Sequence, residues 1–268
     1  MSDWTRVNGV GLWCATYGIS GSPVVMVHGS WVDHHSWDLV APRFAESHTV
    51  LTYDRRGHSQ SERPASQGSV HEDVADLAAL IEHADMAPVH LVGNSFGGSI
   101  CLRLATERPD LIRSLVVHEP PLSEVVADDP ATVWVTQAFR ALVSDVVHCL
   151  KEGDIEGGAR RFVDIAGSDA WDGLSPEVRE TFIANTPTFL DESGDPEVLT
   201  LDLGRLESVG LPTLVTLGEV TAPFFGPIAD RIAAAISTSS RHTFPEAGHA
   251  PHDTHPDDFV TVVSSFIA

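Results

Sequence analysis

The sequence predicts an α/β fold, in which a mostly parallel central sheet is covered by helices on both faces and carries a helical insertion. Two observations lead to this prediction. Short runs that are apolar throughout recur along the chain, and amphipathic helical patterns separate one run from the next. A strand that is apolar throughout is typical of a parallel sheet, because helices bury both of its faces. The 268 residues, of which 43% are hydrophobic, are enough to bury a substantial core.

Strands and helices alternate regularly in the first half of the chain. A segment with turn glycines, VNGVGLWCATYG, predicts a β-hairpin. Apolar runs then predict four buried strands, at residues 23–29, 48–57, 89–95 and 112–119. Apolar positions at helical spacing predict helices between them, at residues 36–46, 69–85 and 96–107.

This alternation stops after residue 122 and resumes near residue 206. Between these points the pattern is helical and contains no convincing strand. Beyond them, strands are predicted at residues 211–218 and 240–246, and helices at residues 227–236 and 256–267. We therefore predict an α/β core of residues 1–122 and 206–268, interrupted by a helical cap, or lid, of residues 123–205.

The composition limits the partners and the compartment that we expect. A formal net charge of -22 repels nucleic acid and anionic membranes. No stretch approaches the apolar length that spans a bilayer, and the N-terminal residues do not have the pattern of a signal peptide. Three cysteines are too few for a disulfide framework. We expect a cytoplasmic monomer or homodimer that acts on a small hydrophobic molecule and binds neither nucleic acid nor a membrane.

The motif GNSFGG, residues 93–98, lies between a predicted buried strand and a predicted helix. Gly-x-Ser-x-Gly in this context is the pattern of a nucleophile elbow, a sharp turn that exposes the serine, here Ser95. The backbone N–H of Phe96 would then lie at a helix N-terminus, where negative charge is stabilised. The alternative is a glycine-rich turn with a capping serine.

At these residues the chain resembles the α/β-hydrolase fold family, and the resemblance covers nearly all of it. Three further stretches carry the resemblance: HGSW at 28–31, YDRRGHSQS at 53–61 and EAGHAPHDTHPDDF at 246–259. The resemblance implies that Ser95 is the nucleophile and His249 the general base. It also implies an oxyanion hole made by the backbone amides of Ser30 and Phe96.

The family's usual position for the triad acid is occupied by Thr221, within LVTLGEVTAPFF. A threonine hydroxyl can accept a hydrogen bond from His249, but it supplies no negative charge. We favour Glu119, at the end of an earlier strand, because some relatives, including a subset of haloalkane dehalogenases, place their acid there. Its alternative role is structural. Glu219 is a weaker candidate, and a site without an acid is the third possibility.

Three histidines follow one another closely in HAPHDTHP, at positions 249, 252 and 255. We expect no metal there, because a loop that ends at Pro256 offers no helical i, i+4 pair and no acid at the expected spacing. We expect no other cofactor.

Aromatic residues of the predicted cap suggest an apolar substrate pocket above Ser95. The residues that we predict to line it are Trp31, Trp134 and Phe139. Such a pocket suits a hydrophobic ester, lactone or related carbonyl compound. Because a serine attacks an acyl carbon, a carboxylic ester hydrolase is the leading hypothesis. The alternatives are a non-hydrolytic or C–C-bond-cleaving enzyme of the same fold, and a receptor-like binding protein with weak turnover.

Overall fold

A twisted sheet of eight strands forms the centre of the molecule. The computed structural model describes residues 2–65, 69–164 and 170–268. The strands are β1 (Ser2–Val7), β2 (Val10–Tyr17), β3 (Pro23–Val27), β4 (Thr49–Tyr53), β5 (Val89–Asn94), β6 (Ile112–His118), β7 (Thr213–Gly218) and β8 (Ser239–Phe244). Their order in the sheet is β1-β2-β4-β3-β5-β6-β7-β8. The β1–β2 hairpin pairs antiparallel to β4, and the pairings from β4 to β8 are parallel.

Helices cover both faces of this sheet. The helices of the described chain are α1 (Ala41–Phe44), α2 (Val70–His83), α3 (Phe96–Glu107), α4 (Val133–Lys151), α5 (Ile155–Val163), α6 (Ala170–Gly173), α7 (Pro176–Gly194), α8 (Leu203–Glu207), α9 (Phe225–Ala235), α10 (Pro251–Thr254) and α11 (Pro256–Ile267). One apolar core joins the sheet to α2, α3 and α9, and a second core joins the opposite face to α1 and α11. The predicted fold class is confirmed.

Strand β3 shows why the apolar runs predicted the sheet correctly. Successive side chains of a strand point to opposite faces. Val25 and Val27 therefore belong to the first core, whereas Val24 and Met26 belong to the second. A strand in this position has no solvent face, so it carries no polar alternation.

Five helices, α4 to α8, follow β6 and precede β7. We call this part of the chain, residues 123–207, the helical insertion; its described residues contain no strand. A third apolar cluster lies within it. Its members are Val146, Leu150, Ala159, Val163, Trp171, Phe182 and Phe189, together with Trp31 from the loop after β3. No helix among the described residues is both long and apolar enough to cross a membrane.

The predicted helix over residues 36–46 is wrong in extent. The chain forms a short 3-10 turn at His34–Trp37 and a separate helix α1 at Ala41–Phe44. Pro42 lies in the first turn of α1. Proline has no backbone N–H and favours a helix start, so the apolar spacing continues across a break in the hydrogen-bond ladder.

Candidate active site

Ser95 lies in the turn between β5, which ends at Asn94, and α3, which begins at Phe96. Its backbone angles are φ 53° and ψ −125°, an unfavourable region for a residue with a side chain. Strain of this kind costs roughly 1–3 kcal/mol and is typical of functional turns. The Phe96 amide belongs to the first turn of α3, whose N–H groups have no partner within the helix.

The two glycines of the motif let the chain make this turn. A Cβ atom on Gly97 would lie 2.1 Å from the carbonyl oxygen of Val27, and one on Gly93 would lie 2.7 Å from the Sγ of Cys101. Both separations are too short for a side chain. The pattern Gly-x-Ser-x-Gly therefore reflects the close packing of the turn against β3 and α3.

Glu119 lies beside this turn because β5 and β6 are neighbours and run in parallel. Asn94 pairs with His118 in their register, so Ser95 and Glu119 each follow the last residue of adjacent strands. The backbone N–H of Ser95 donates to the His118 carbonyl at 2.8 Å. Glu119 has a positive φ of 46° and is fully buried.

The Glu119 carboxylate accepts three hydrogen bonds. Its Oε1 accepts from the Gly218 amide at 2.8 Å. Its Oε2 lies 2.5 Å from His249 Nδ1 and accepts from the Thr221 hydroxyl at 2.8 Å. The hydrogen bond to Glu119 makes Nδ1 the protonated nitrogen of the neutral His249 ring. Nε2 is then the basic nitrogen.

The environment keeps Glu119 ionised. Burial alone would raise the pKa of its carboxyl, but His118 and the hydrogen bonds from His249 and the Gly218 amide lower it to about 2. Burial also lowers the pKa of His118 to about 4, so that ring is neutral near pH 7. Near pH 7, where His118 is neutral, the hydrogen bonds from His249 and the Gly218 amide are what stabilise the Glu119 carboxylate.

The structure shows a contact of Thr221 that the sequence did not predict. Its hydroxyl donates to Glu119 rather than accepting from His249. The hydroxyl thus supports a carboxylate that enters the site from a different strand. Glu219 is exposed, and its carboxylate accepts from the backbone N–H of Glu246 at 2.9 Å.

His249 is held in place by contacts on two sides. Its carbonyl oxygen accepts from Asn94 Nδ2 at 2.9 Å, which joins its loop to the residue before Ser95. Its ring stacks on Phe225, with 4.8 Å between the ring centres and 19° between the planes. These contacts fix the direction of the imidazole relative to the Ser95 turn.

The sequence reasoning missed His118. Its Nδ1 lies 3.0 Å from the Thr216 hydroxyl, and its Nε2 lies 3.5 Å from Glu119 Oε1. That Nε2 is buried and has no hydrogen-bond partner among the described residues. Its place next to Glu119 in the sequence was the available signal, but the strand pattern did not show that the ring turns back toward the carboxylate.

The loop that carries Ser30 lies against Ser95. A Cβ atom on Gly29 would be 3.0 Å from the Ser95 Cβ. The Ser30 hydroxyl donates to Glu192 of α7 at 2.6 Å. Arg55 donates to the other Glu192 oxygen at 2.6 Å and to the Gly29 carbonyl at 3.2 Å. A buried ionic network therefore joins this loop to the helical insertion.

A cavity of about 1270 Å³ opens above Ser95 and His249, between the core and the helical insertion. Of the aromatic residues predicted to line it, Phe139 does so. The prediction is wrong for Trp31, which is fully buried and stacks on Phe162 with 5.1 Å between ring centres. It is also wrong for Trp134, which lies outside the lining and is 43% exposed.

Two groups of described side chains bring three possible metal ligands within 4.8 Å of one another: His118 with Glu119 and His249, and Asp33 with His34 and Asp54. In the first group, Glu119 and His249 are already hydrogen-bonded to each other. In the second, His34 Nδ1 lies 2.6 Å from Asp54. The histidines at 249, 252 and 255 do not form such a group. His252 is instead buried and stacks on Trp37.

A family model described as the alpha/beta hydrolase family matches residues 24–262. The chain belongs to the alpha/beta hydrolase family. The features of this chain that matter for the activity of such a protein are its sheet order, its serine turn and its helical insertion.

Two proteins to which the chain is similar are named for different reactions. The chain is similar to a 2-hydroxymuconate semialdehyde hydrolase from Pseudomonas sp. (strain CF600), at 27% identity over 93% of this chain and 88% of that protein. It is 34% identical to a dihydrolipoyllysine-residue acetyltransferase component of an acetoin cleaving system from Pseudomonas putida, but over only 38% of this chain and 28% of that protein.

Solved structures share the fold. The structure of Est816, described as an N-acyl homoserine lactone degrading enzyme, matches with a TM-score of 0.79 at 22% identity. The match covers 98% of this chain and 100% of that one. At this identity the likeness concerns the fold alone.

Proposed function

We propose that the protein hydrolyses a hydrophobic carboxylic ester, lactone or related carbonyl compound through a triad of Ser95, His249 and Glu119. The observation that carries this proposal is the 2.5 Å contact between His249 Nδ1 and Glu119 Oε2, beside a serine in a strained turn. A serine, a histidine and a buried carboxylate in this relation are the parts of an acyl-transfer site.

Acylation begins when Ser95 Oγ attacks the acyl carbon. The proton of the Ser95 hydroxyl moves to His249 Nε2, and the negative charge moves to the former carbonyl oxygen. The amides of Phe96 and Ser30 would hold that oxyanion, each worth about 3 kcal/mol of barrier. His249 then gives its proton to the leaving alcohol as the tetrahedral intermediate collapses to an acyl-serine.

Deacylation repeats these steps with water. His249 takes a proton from the attacking water, and the second tetrahedral intermediate collapses when Ser95 Oγ leaves and recovers a proton. Throughout, Glu119 stabilises the imidazolium that forms on His249. The low pKa of Glu119, about 2, supports this role, because the carboxylate stays charged while the ring gains its proton.

We propose that residues 123–205 act as a cap on a core of residues 1–122 and 206–268. The cavity between them supports this division, since its lining combines residues of α4 and α7 with Ser95 and His249 of the core. A cap of this kind excludes water from the acyl group and provides the apolar surface that binds it.

A second candidate is hydrolysis of a C–C bond next to a carbonyl group. The similarity to a 2-hydroxymuconate semialdehyde hydrolase, which spans 93% of this chain, favours it. The same serine and histidine would serve, but the leaving group would be a carbon that needs a proton. Such a site must protonate carbon before the acyl group is released, and an ester site need not.

The experiment that tests the proposed function is intact-mass labelling with a fluorophosphonate probe at neutral pH, together with p-nitrophenyl butanoate hydrolysis. We expect one fast label on wild type, located at Ser95 by peptide mapping. Glu119→Gln should slow both labelling and turnover by about 10⁴-fold, as neutralising a triad carboxylate does. A circular dichroism melt checks that this variant is folded.

Glu219→Gln is the matched control, because it neutralises an exposed carboxylate of the neighbouring loop and keeps an acceptor for the Glu246 amide. It should label at the wild-type rate. Equal labelling of Glu119→Gln and wild type would remove Glu119 from the triad. An unlabelled wild type would show that Ser95 is not activated and would overturn ester hydrolysis.

A further inference from the structure

One face of α4 forms an apolar wall of the cavity. The side chains that contribute to it recur at helical spacing: Phe139, Leu142, Val143, Val146 and Val147. Leu142, Val143 and Val147 are only half-buried, as expected for side chains that face a cavity rather than a packed core. From α7, Phe182, Phe189 and Leu190 also line the cavity.

The charged residues of the lining are mostly acidic. Six described lining residues carry a carboxylate: Asp33, Glu124, Glu177, Glu192, Asp195 and Asp253. Two carry a cation, Arg140 and Lys151. Glu124 is paired with Arg140 and Glu192 with Arg55. The negative balance of the lining therefore comes from Asp33, Glu177, Asp195 and Asp253, and it has the same sign as the formal net charge of -22.

Neither cation of the described lining is both buried and unpaired. Arg140 donates to Glu124 at 2.8 Å, so its charge is already paired. Lys151 is exposed in the last turn of α4. The buried Arg55 lies behind the lining, and its guanidinium contacts Glu192 and Asp73.

We propose that this site selects an uncharged, apolar acyl group and discriminates against acyl groups that bear a carboxylate. The inference rests on the proposed function, because it assumes that the cavity holds the acyl group of an ester or lactone. A carboxylate placed against the α4 wall would lose its hydration and meet no cation of the described lining that is both buried and unpaired, and the negative balance of the lining would repel it.

The test compares esters that differ only in the acyl group. Across p-nitrophenyl acetate, butanoate, hexanoate and octanoate, we expect kcat/KM to rise about fourfold for each added methylene, the gain expected when that group is buried. The mono-p-nitrophenyl ester of adipic acid should react at least about tenfold more slowly than the same ester with its second carboxyl methylated. These two compounds match in length and differ in charge.

A charge placed on the wall should reverse the selectivity. Val143→Lys should raise the ratio of the adipate rate to the methyl adipate rate by at least about tenfold, relative to Val143→Met, which has similar length and no charge. The readout is a ratio within each variant, so a partial loss of folding or of overall activity cancels from it.

The outcomes separate this inference from the proposed function. Hydrolysis of all esters, with the adipate monoester as good as its methylated form or better, would overturn the inference and leave ester hydrolysis standing. A flat series from acetate to octanoate would also overturn it. Labelling of Ser95 without turnover of any ester would remove the proposed function, and this inference with it.

Discussion

At the scale of single residues, the carboxylate that contacts His249 comes from Glu119 and not from the position of Thr221. Thr221 stands where the sequence resemblance implies an acid, and its hydroxyl donates to Glu119 Oε2 at 2.8 Å. The same oxygen binds His249 Nδ1. Because both contacts share one oxygen, the Thr221 side chain lies within a carboxylate's reach of His249. The Thr221 hydroxyl therefore acts on the imidazole through Glu119, the acid of the proposed triad.

Removing the Thr221 hydroxyl should weaken the site modestly. Thr221→Val leaves Glu119 with one donor fewer, and we expect kcat to fall by no more than about tenfold, the scale of one hydrogen bond. Thr221→Asp should be worse, because two carboxylates would then share one site and one of them would become protonated. Steady-state kinetics with p-nitrophenyl butanoate would measure both effects.

The double variant Glu119→Gln/Thr221→Asp tests whether a carboxylate at position 221 can serve His249 in place of Glu119. It returns a carboxylate to the position next to β7 and should recover at least about tenfold of the kcat that Glu119→Gln loses. The matched double variant Glu119→Gln/Thr221→Asn lacks the charge and should recover nothing. Equal rates for these two double variants would mean that the charge of the Thr221 position has no access to His249.

At the scale of secondary-structure elements, helix α7 reaches into the core through Glu192. One oxygen accepts from the Ser30 hydroxyl and the other from Arg55, which also binds the Gly29 carbonyl. Glu192 is 4% exposed, so these bonds form away from bulk water. The position of the oxyanion-hole loop proposed here thus depends on a side chain of the helical insertion.

Glu192 should therefore affect both stability and catalysis. Glu192→Ala leaves the buried Arg55 without one partner, and we expect the free energy of unfolding to fall by about 3 kcal/mol. It should also lower kcat with little change in KM for a short ester, because the Ser30 loop positions the oxyanion and not the acyl chain. Glu192→Gln, which keeps the acceptor for Ser30, should restore part of kcat.

The control for this prediction is Glu180→Gln, an exposed glutamate of the same helix. It should change neither urea unfolding nor kcat. If Glu192→Ala lost stability while kcat stayed at the wild-type value, Glu192 would be a purely structural contact between the insertion and the core.

These elements also show which features could be predicted from the sequence and which could not. The apolar runs predicted the strands, because strand burial is a local pattern, and the Gly-x-Ser-x-Gly spacing identified the turn at Ser95. The contact of Arg55 with Glu192 joins residues 137 positions apart, and no periodicity encodes it. The same limit explains the error at Trp31: an aromatic residue next to a site motif can equally well fill a neighbouring apolar cluster.

At the scale of the whole molecule, the fold holds several histidines neutral in its interior. Burial lowers the pKa of His28 and His252 to about 3, that of His90 and His118 to about 4, and that of His58 well below its ordinary value. In the unfolded chain these rings take up protons below about pH 6.5. Asp73 opposes them, since burial raises the pKa of its carboxyl to about 6.

The sign of the pH dependence follows from these shifts. Between about pH 6.5 and pH 4 the unfolded chain binds more protons at the five histidines than the folded chain does. Their contribution to stability is therefore present above about pH 6.5 and is lost as the pH falls toward 4. Asp73 binds a proton in the folded state, but not in the unfolded state, between about pH 6 and 4. It therefore offsets about one of the five protons that the unfolded chain gains at the histidines. We expect the protein to lose stability steeply on acidification.

His90 offers a test of this account away from the proposed site. It is 5% exposed, and its Nδ1 lies 2.7 Å from the Ser114 hydroxyl. His90→Asn removes one proton from the difference between the two states, so the slope of unfolding free energy against pH near pH 5 should fall by about 1.4 kcal/mol per pH unit. Urea unfolding at several pH values would measure the slope. The same change at His83, which is exposed on α2, should leave it at the wild-type value, because that side chain meets water in both states. Equal slopes for the His90 variant and wild type would mean that the interior does not hold His90 neutral.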